Sequence, residues 1–401
     1  MAALLHPRKF AGDAAPLIIE GLFSFQVGGS ERIGADVALE CVRRGYRVLC
    51  FAFYDSDGPV RRELEAGGVE CVDLSYLSRM RYIRRFTYQL ALFRFLRRRN
   101  AHALHIHHAT SLILGALPAR FAGVPRVIMT EHSIIEFQTM PKYRRQSRRY
   151  CRFAHAISVV HSSMEPYFRS ELHVPADQLH CIPNGVRLLR RDPIARARLR
   201  RELGITGEQF LWMYAGRLAA VKDLGTLLKA FSIASDAAPG RSKLAIVGDG
   251  PERGALEQSC RLLKLDALVS FLGTRTDVPQ LMQAADGFAM SSLSEGLPMV
   301  LLEAMAARVP CVATSVGGIP QLFSGGAGLL AAPQDAPALA HAMRALTADP
   351  ERRRHMSDAA FAKIAASNDL VRVVDQYLRL FELPPRWPHA VELGAHGADA
   401  G

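Results

Sequence analysis

Apolar positions fall in short continuous runs separated by longer amphipathic stretches. The runs include Leu17-Ile18-Ile19, Val48-Leu49-Cys50-Phe51, Ala103-Leu104-His105-Ile106-His107 and Val127-Ile128-Met129-Thr130. Further along come Ile157-Ser158-Val159-Val160, Phe210-Leu211-Trp212-Met213-Tyr214, Leu244-Ala245-Ile246-Val247, Val269-Ser270-Phe271-Leu272, Gly287-Phe288-Ala289-Met290 and Pro310-Cys311-Val312-Ala313-Thr314. Short runs of this kind predict strands buried on both faces. The stretches between them predict helices, one running from a glycine loop at Val27-Gly28-Gly29-Ser30-Glu31 to about Arg44. Strand and helix in alternation predict an α/β protein with parallel sheets.

The stretch from Ser291 to Gln321, SSLSEGLPMVLLEAMAARVPCVATSVGGIPQ, says most about chemistry. It lies between two predicted strands and so forms a βαβ unit. Glu295 sits on the loop, Gly296 and Pro298 at the helix start, and Glu303 further along the helix. Proline suits the first helical position, where its missing N–H costs nothing. The amides of Leu297, Met299 and Val300 then form a helix amino end that receives an anion such as a diphosphate. Glu295 and Glu303 are placed to accept hydrogen bonds from sugar hydroxyls on either side. Two carboxylates eight apart carry no information alone; the surrounding residues make the pattern specific.

In that setting, EGLPMVLLEAMA followed by a small-residue strand and GGIPQ, the chain resembles the retaining glycosyltransferases of family 4. The resemblance implies the GT-B fold: two Rossmann-like domains facing each other across a cleft, with a C-terminal helix crossing back to the first domain. It implies domains at about 16–187 and 188–366, a crossover helix at 367–383 (centred on Leu370 to Leu380), and disordered ends at 1–15 and 384–401. Arg217 and Lys222 are implied to hold the diphosphate of a nucleotide sugar, UDP- or GDP-linked. Two fixed cations stabilise the charge that develops on a leaving pyrophosphate, so no metal and no further cofactor is expected. Glu303 is implied on the ribose and Glu295 on the transferred sugar. Gly28 and Gly29 are expected near the donor phosphates and the acceptor. His132, after Thr130-Glu131, is expected to hydrogen-bond a sugar hydroxyl. IPNGV at Ile182–Val186 is a family hallmark and is expected to mark the last strand before the linker. The chain departs from the usual pattern at Gln321 (often Glu), Arg308 (usually Gly) and Ser291 (commonly Pro).

Two decoys stand beside these motifs. Gly248-Asp249-Gly250-Pro251 with Gly254 imitates a dinucleotide fingerprint but misses its spacing, and Pro251 and Glu252 crowd a pyrophosphate. His105 and His107 share one strand face and could suit zinc, but no cysteine or carboxylate lies at ligand spacing in the sequence; a structural role is expected.

Composition narrows the class. The 401 residues suit two domains. Seven cysteines without CxxC spacing fit reduced core residues. Ala2 to Leu5 is too short for a leader's apolar core and no run reaches a membrane span, so a cytoplasmic location is expected. Charge is uneven: residues 1–190 hold 27 Lys and Arg against 16 Asp and Glu, and none is acidic from Leu74 to Thr130. Arginines interleave with aromatics from Tyr76 to Arg99, notably Arg79, Arg81, Tyr82, Ile83, Arg84, Arg85 and Phe86. A second cluster is Lys142, Arg144, Arg145, Arg148, Arg149 and Arg152. Such surfaces dock on anionic membrane, and a solvated face is the plain alternative; nucleic acid is not expected. The expected activity is transfer of a sugar, with retention, to a lipid-linked or glycan acceptor in cell-surface polysaccharide or glycolipid synthesis. The alternative is a non-catalytic GT-B protein that binds polyanions or nucleotide.

Overall fold

The computed structural model of the chain describes residues 15–74, 84–188, 191–207, 209–236, 240–275 and 277–384. The expectations for the two ends (beyond Ala15 and Pro384) and for Arg79, Arg81, Tyr82, Ile83 and the side chains of Arg84 and Arg85 lie outside these residues. The chain forms two compact units, one running to Gly185 and resuming at Leu370, the other spanning Val186–Asp369.

The first unit holds a parallel seven-stranded sheet: β1 (Leu17–Leu22), β2 (Arg47–Ala52), β3 (Glu70–Asp73), β4 (Ala103–His107), β5 (Arg126–Glu131), β6 (Ala156–Val159) and β7 (Leu179–Cys181). Their order is β3-β2-β1-β4-β5-β6-β7. The winding reverses between β1 and β4, the switch point where open α/β sheets leave a crevice at the strands' carboxyl ends. β1 is buried along its whole length, as a strand covered by helices on both faces must be. The helix Arg84–Arg99 buries Tyr88, Leu92 and Leu96, one turn apart. Arg94, Arg97, Arg98 and Arg99 point outward, and Phe86 is 73% exposed.

IPNGV follows β7 rather than forming a strand, since Pro183 has no N–H for a ladder. Val186 N–H then donates to Asn368 O at 2.8 Å. The last helix, Leu370–Leu380, belongs to the first unit and packs on the helix Gly29–Arg43. Arg44, just past that helix, has its side chain 1% exposed. Its guanidinium binds Glu40, Asp375 and the carbonyl of Val371.

The second unit has a parallel six-stranded sheet: β8 (Phe210–Ala215), β9 (Ser242–Val247), β10 (Val269–Gly273), β11 (Gly287–Met290), β12 (Cys311–Thr314) and β13 (Leu329–Ala331), in the order β10-β9-β8-β11-β12-β13. Trp212, Tyr214, Leu227, Phe231, Ile246, Leu339 and Met343 form its core. The switch here lies between β8 and β11. Among the described residues no helix is long and apolar enough to cross a membrane.

Candidate functional site

In the second unit the switch point brings two loops together. β8 ends at Ala215 and the chain passes through Gly216, Arg217 and Leu218 to a short turn, Ala220–Lys222. β11 ends at Met290 and leads through Ser291 and Ser292 to Glu295. Lys222 Nζ donates to Glu295 Oε1 at 2.6 Å. Ser292 Oγ donates to the same oxygen, also at 2.6 Å. The Ser291 hydroxyl lies within reach of two main-chain acceptors, Lys222 O at 3.1 Å and Asp223 O at 2.8 Å. Leu293 N–H donates to Val221 O at 2.8 Å. The lysine is thus fixed by its own carboxylate and by a clamped backbone. Arg217 is exposed and makes no ion pair among the described residues.

Lys222, expected at the diphosphate of a nucleotide sugar, pairs with Glu295 in this structure. One expectation is corrected here. Pro298 is the N-cap of the helix Met299–Ala306, with extended ψ of 120°, rather than its first residue. Met299 and Val300 therefore supply the first two helical amides, and Leu297 lies ahead of the helix. Glu303 stands on that helix a little over one turn from its start. Ser291 and Ser292 are site residues that the motif alone did not reveal; a proline at 291 could not hold the Lys222 loop.

Glycines shape this site by exclusion. At Gly317, φ is +54° and a Cβ would lie 1.8 Å from Glu295 O. At Gly248, φ is +130° and a Cβ would lie 2.0 Å from Gly216 O. The glycine turn after β9 thus packs on the Arg217 loop, which accounts for its likeness to a dinucleotide fingerprint.

In the first unit the switch point collects the histidines. Gly28 is the extended N-cap of the helix Gly29–Arg43. Ser30 Oγ donates to Glu31 at 2.8 Å and lies 2.8 Å from His108 Nε2. His108, at φ +71°, caps the next helix. Glu131 accepts from the amides of Ala109 and His132. Burial works against a charged His108, yet Glu131, Glu31 and Glu136 hold its pKa above the ordinary value. His132 Nε2 lies 3.1 Å from His107 Nδ1, with the rings stacked at 16°. The buried Nδ1 of His132 has no well-aligned hydrogen-bond partner, although the Asn184 side chain reaches the ring. Burial first, then the neighbouring histidines, hold His132 well below the ordinary imidazole pKa, so the ring is neutral.

Beneath His132 the structure adds a partner that spacing along the sequence did not show. A carboxylate does face His105 and His107: Glu20 on the adjacent strand β1, in register with His105. Glu20, His105 and His107 could offer ligand atoms within 4.8 Å of one another. The signal was invisible locally because the carboxylate lies 85 positions from His105. His105 Nδ1 is 3.1 Å from Glu20, and His107 Nε2 is 3.3 Å from Glu20 Oε2. His105 Nε2 is 2.8 Å from Thr130 Oγ1, itself 3.2 Å from Tyr377 OH. Burial pushes Glu20 up to about 7 and the rings down, His105 to about 3 and His107 to about 4.

Two Rossmann-like units, the last helix returned to the first, make up the GT-B fold. Residues 27–190 match the family described as Glycosyltransferase Family 4, and residues 195–363 match Glycosyl transferases group 1. The D-inositol 3-phosphate glycosyltransferase of Pseudarthrobacter chlorophenolicus is 31% identical over 287 residues, 66% of this chain and 68% of that one. The UDP-Gal:alpha-D-GlcNAc-diphosphoundecaprenol alpha-1,3-galactosyltransferase of Escherichia coli is 29% identical over 239 residues, 57% of this chain. The matched stretch spans 62% of that relative's length. The crystal structure of Anabaena Alr3699/HepE in complex with UDP superposes with a TM-score of 0.78, at 23% identity, over 91% of this chain and 99% of that one. The chain belongs to glycosyltransferase family 4.

Proposed function

We propose that this chain transfers a sugar, with retention of anomeric configuration, from a UDP- or GDP-sugar to a lipid-linked or glycan acceptor in cell-surface polysaccharide or glycolipid synthesis. The observation that carries the reading is the Lys222–Glu295 pair at 2.6 Å, held beside exposed Arg217 and the amino end of the helix Met299–Ala306. Two cations and a helix dipole answer the charge of a departing diphosphate. In this reading Lys222 exchanges its carboxylate partner for the diphosphate as the donor enters. Glu295, released, accepts from a hydroxyl of the transferred sugar. Glu303 takes the ribose. Gly28 and Gly29 let main chain approach the donor phosphates, and His132 Nδ1 takes a sugar hydroxyl. The diphosphate charge is met by side chains, so no metal is required.

The lipid-linked acceptor is supported by the E. coli relative, whose acceptor is a diphosphoundecaprenol. Such an acceptor places the work at the inner face of the cytoplasmic membrane, with the chain a peripheral cytoplasmic protein. A thermal-shift screen across nucleoside diphosphates and their sugars tests the donor. A donor at a hundred times its Kd adds about 2.7 kcal/mol to stability. The anomeric proton of the product, read by NMR against the donor's, tests retention. No stabilisation by any nucleoside diphosphate overturns the donor reading, and inversion overturns the mechanism.

A further inference from the structure

Glu20, His105 and His107 are completely or almost completely buried, and their polar atoms form one continuous chain. It runs from His132 through His107, Glu20, His105 and Thr130 to Tyr377. A neutral imidazole has one donor nitrogen and one acceptor nitrogen, and an ionised carboxylate only accepts. These two facts orient every link. Glu20 accepts from His107 Nε2–H on one side and His105 Nδ1–H on the other. His105 Nε2 then accepts from the Thr130 hydroxyl, whose oxygen accepts from Tyr377. His107 Nδ1, left bare, accepts from His132 Nε2–H. No link sets donor against donor.

We infer that Glu20 is a positioning residue that acts through His107 to fix His132 as its Nε2–H tautomer, leaving the Nδ1 lone pair to accept a hydrogen bond from a ligand hydroxyl. The buried Nδ1, which has no well-aligned partner although the Asn184 side chain reaches the ring, is the end of the chain that would meet that ligand. That the hydroxyl belongs to the donor sugar rests on the function proposed above; the tautomer does not. A proton on the Glu20 oxygen facing His107 reverses that branch and turns the His132 Nδ1 into a donor, which could no longer receive the same hydroxyl hydrogen.

The full-length chain labelled with ¹⁵N-histidine tests this in two-bond proton–nitrogen spectra at about pH 8.5, where Glu20 is ionised. The His132 signals are assigned by their loss in His132→Gln. The expected pattern is a pyrrole-type Nε2 and a pyridine-type Nδ1 on His132, and a pyridine-type Nδ1 on His107. An Nδ1–H or doubly protonated His132 in the wild-type chain overturns the inference without any variant. In Glu20→Leu neither ring keeps its carboxylate acceptor, so nothing holds the Nε2–H of His107 and its pattern is expected to change, which a space-filling role for Glu20 would not require. Unchanged patterns in that variant, checked to melt cooperatively, also overturn it. So does a shift of the His105 and His107 nitrogens on adding zinc that a chelator reverses, because the cluster is then a metal site. Transfer by Glu20→Leu is expected to fall about tenfold or more while nucleoside diphosphate affinity holds. Loss of that affinity in the wild-type chain would sink the donor reading and leave the tautomer result standing.

Discussion

Lys222 is held 2.6 Å from a carboxylate whose side chain is only 8% exposed, so the two residues must be separated experimentally. Arg217→Ala and Lys222→Ala should each lower kcat/KM roughly a hundredfold, the scale of one lost charge-stabilising contact. EDTA should leave the wild-type rate intact. Rates near normal in both variants would remove the diphosphate from this site, and loss in EDTA restored by Mn²⁺ would require a metal. The carboxylates divide differently. Glu303→Gln should weaken both the free nucleoside diphosphate and the sugar donor. Glu295→Gln should slow transfer with nucleoside diphosphate affinity nearly unchanged, and titration calorimetry reads the difference; the opposite result exchanges the two roles. The buried histidines set a third expectation. His105, His107 and His155 are held by burial at about 3, 4 and 4. Between those values and 6.5 the unfolded chain binds more protons, so stability falls as pH drops through that window. Glu20 works in the opposite sense: its stabilising proton is fully present below 4.5 and is lost as pH rises through about 7. Three rings outweigh one carboxyl, so the melting temperature should fall on acidification from pH 6.5. His155→Gln, at a ring flanked by Arg120 and Arg126, should flatten that fall. A melting temperature indifferent to pH across this range would mean that the rings charge in the folded chain.

At the scale of elements, strands buried on both faces were readable because they are apolar throughout, β8 and β11 most plainly. The edges were not. β3 is half-exposed, and β7 and β13 are three residues each, too short to register as a run. Pro298 was misplaced by one position because a cap and a first turn accept the same residue in sequence. The charged residues of the site were legible as a motif, but not who binds whom. The Lys222–Glu295 and Glu20–His105 pairs form because β8 adjoins β11 and β1 adjoins β4, and order within a sheet is not written in local pattern. Arg308 shows the reverse case. Its φ of +59° marks a position where the family's usual glycine costs nothing, and here an ion pair to Asp358 at 2.7 Å and stacking on Phe361 accompany the strained backbone. Arg44 is the sharper test of an element contact. Arg44→Met removes the cation paired with Asp375, while Glu40 keeps Arg43, and should cost about 3 kcal/mol. Because Arg44 also holds Val371 O, amide exchange in the helix Leu370–Leu380 should rise before the rest of the first unit. Exchange that rises uniformly would mean that Arg44 stabilises the unit as a whole instead of seating this helix.

For the whole molecule the governing quantity is charge, a net +12 with a sequence pI near 9.6. The described residues give this charge a surface. On the helix Pro141–Tyr150, Ser147 faces inward while Lys142, Arg145, Arg148 and Arg149 are exposed, and Arg152 continues the array. Ile135 and Met140, just ahead of it, are 41% and 53% exposed. Arg144 is partly neutralised by Glu171 at 3.1 Å. Each free basic residue near an anionic bilayer adds about 1 kcal/mol of attraction, and exposed apolar side chains add shallow insertion. The attraction decays over roughly 8 Å at physiological ionic strength, so it should respond steeply to salt. The protein should therefore sediment with vesicles containing phosphatidylserine at low salt, leave them at high salt, and ignore uncharged vesicles throughout. Changing Lys142, Arg145, Arg148 and Arg149 together to Ser should abolish sedimentation and slow transfer to a lipid-linked acceptor. Hydrolysis of the sugar donor in solution should be untouched, because none of the four lies at either switch point. Wild-type protein that stays in the supernatant with anionic vesicles at low salt would leave this helix a solvated face, and the acceptor would then have to be sought among soluble glycans.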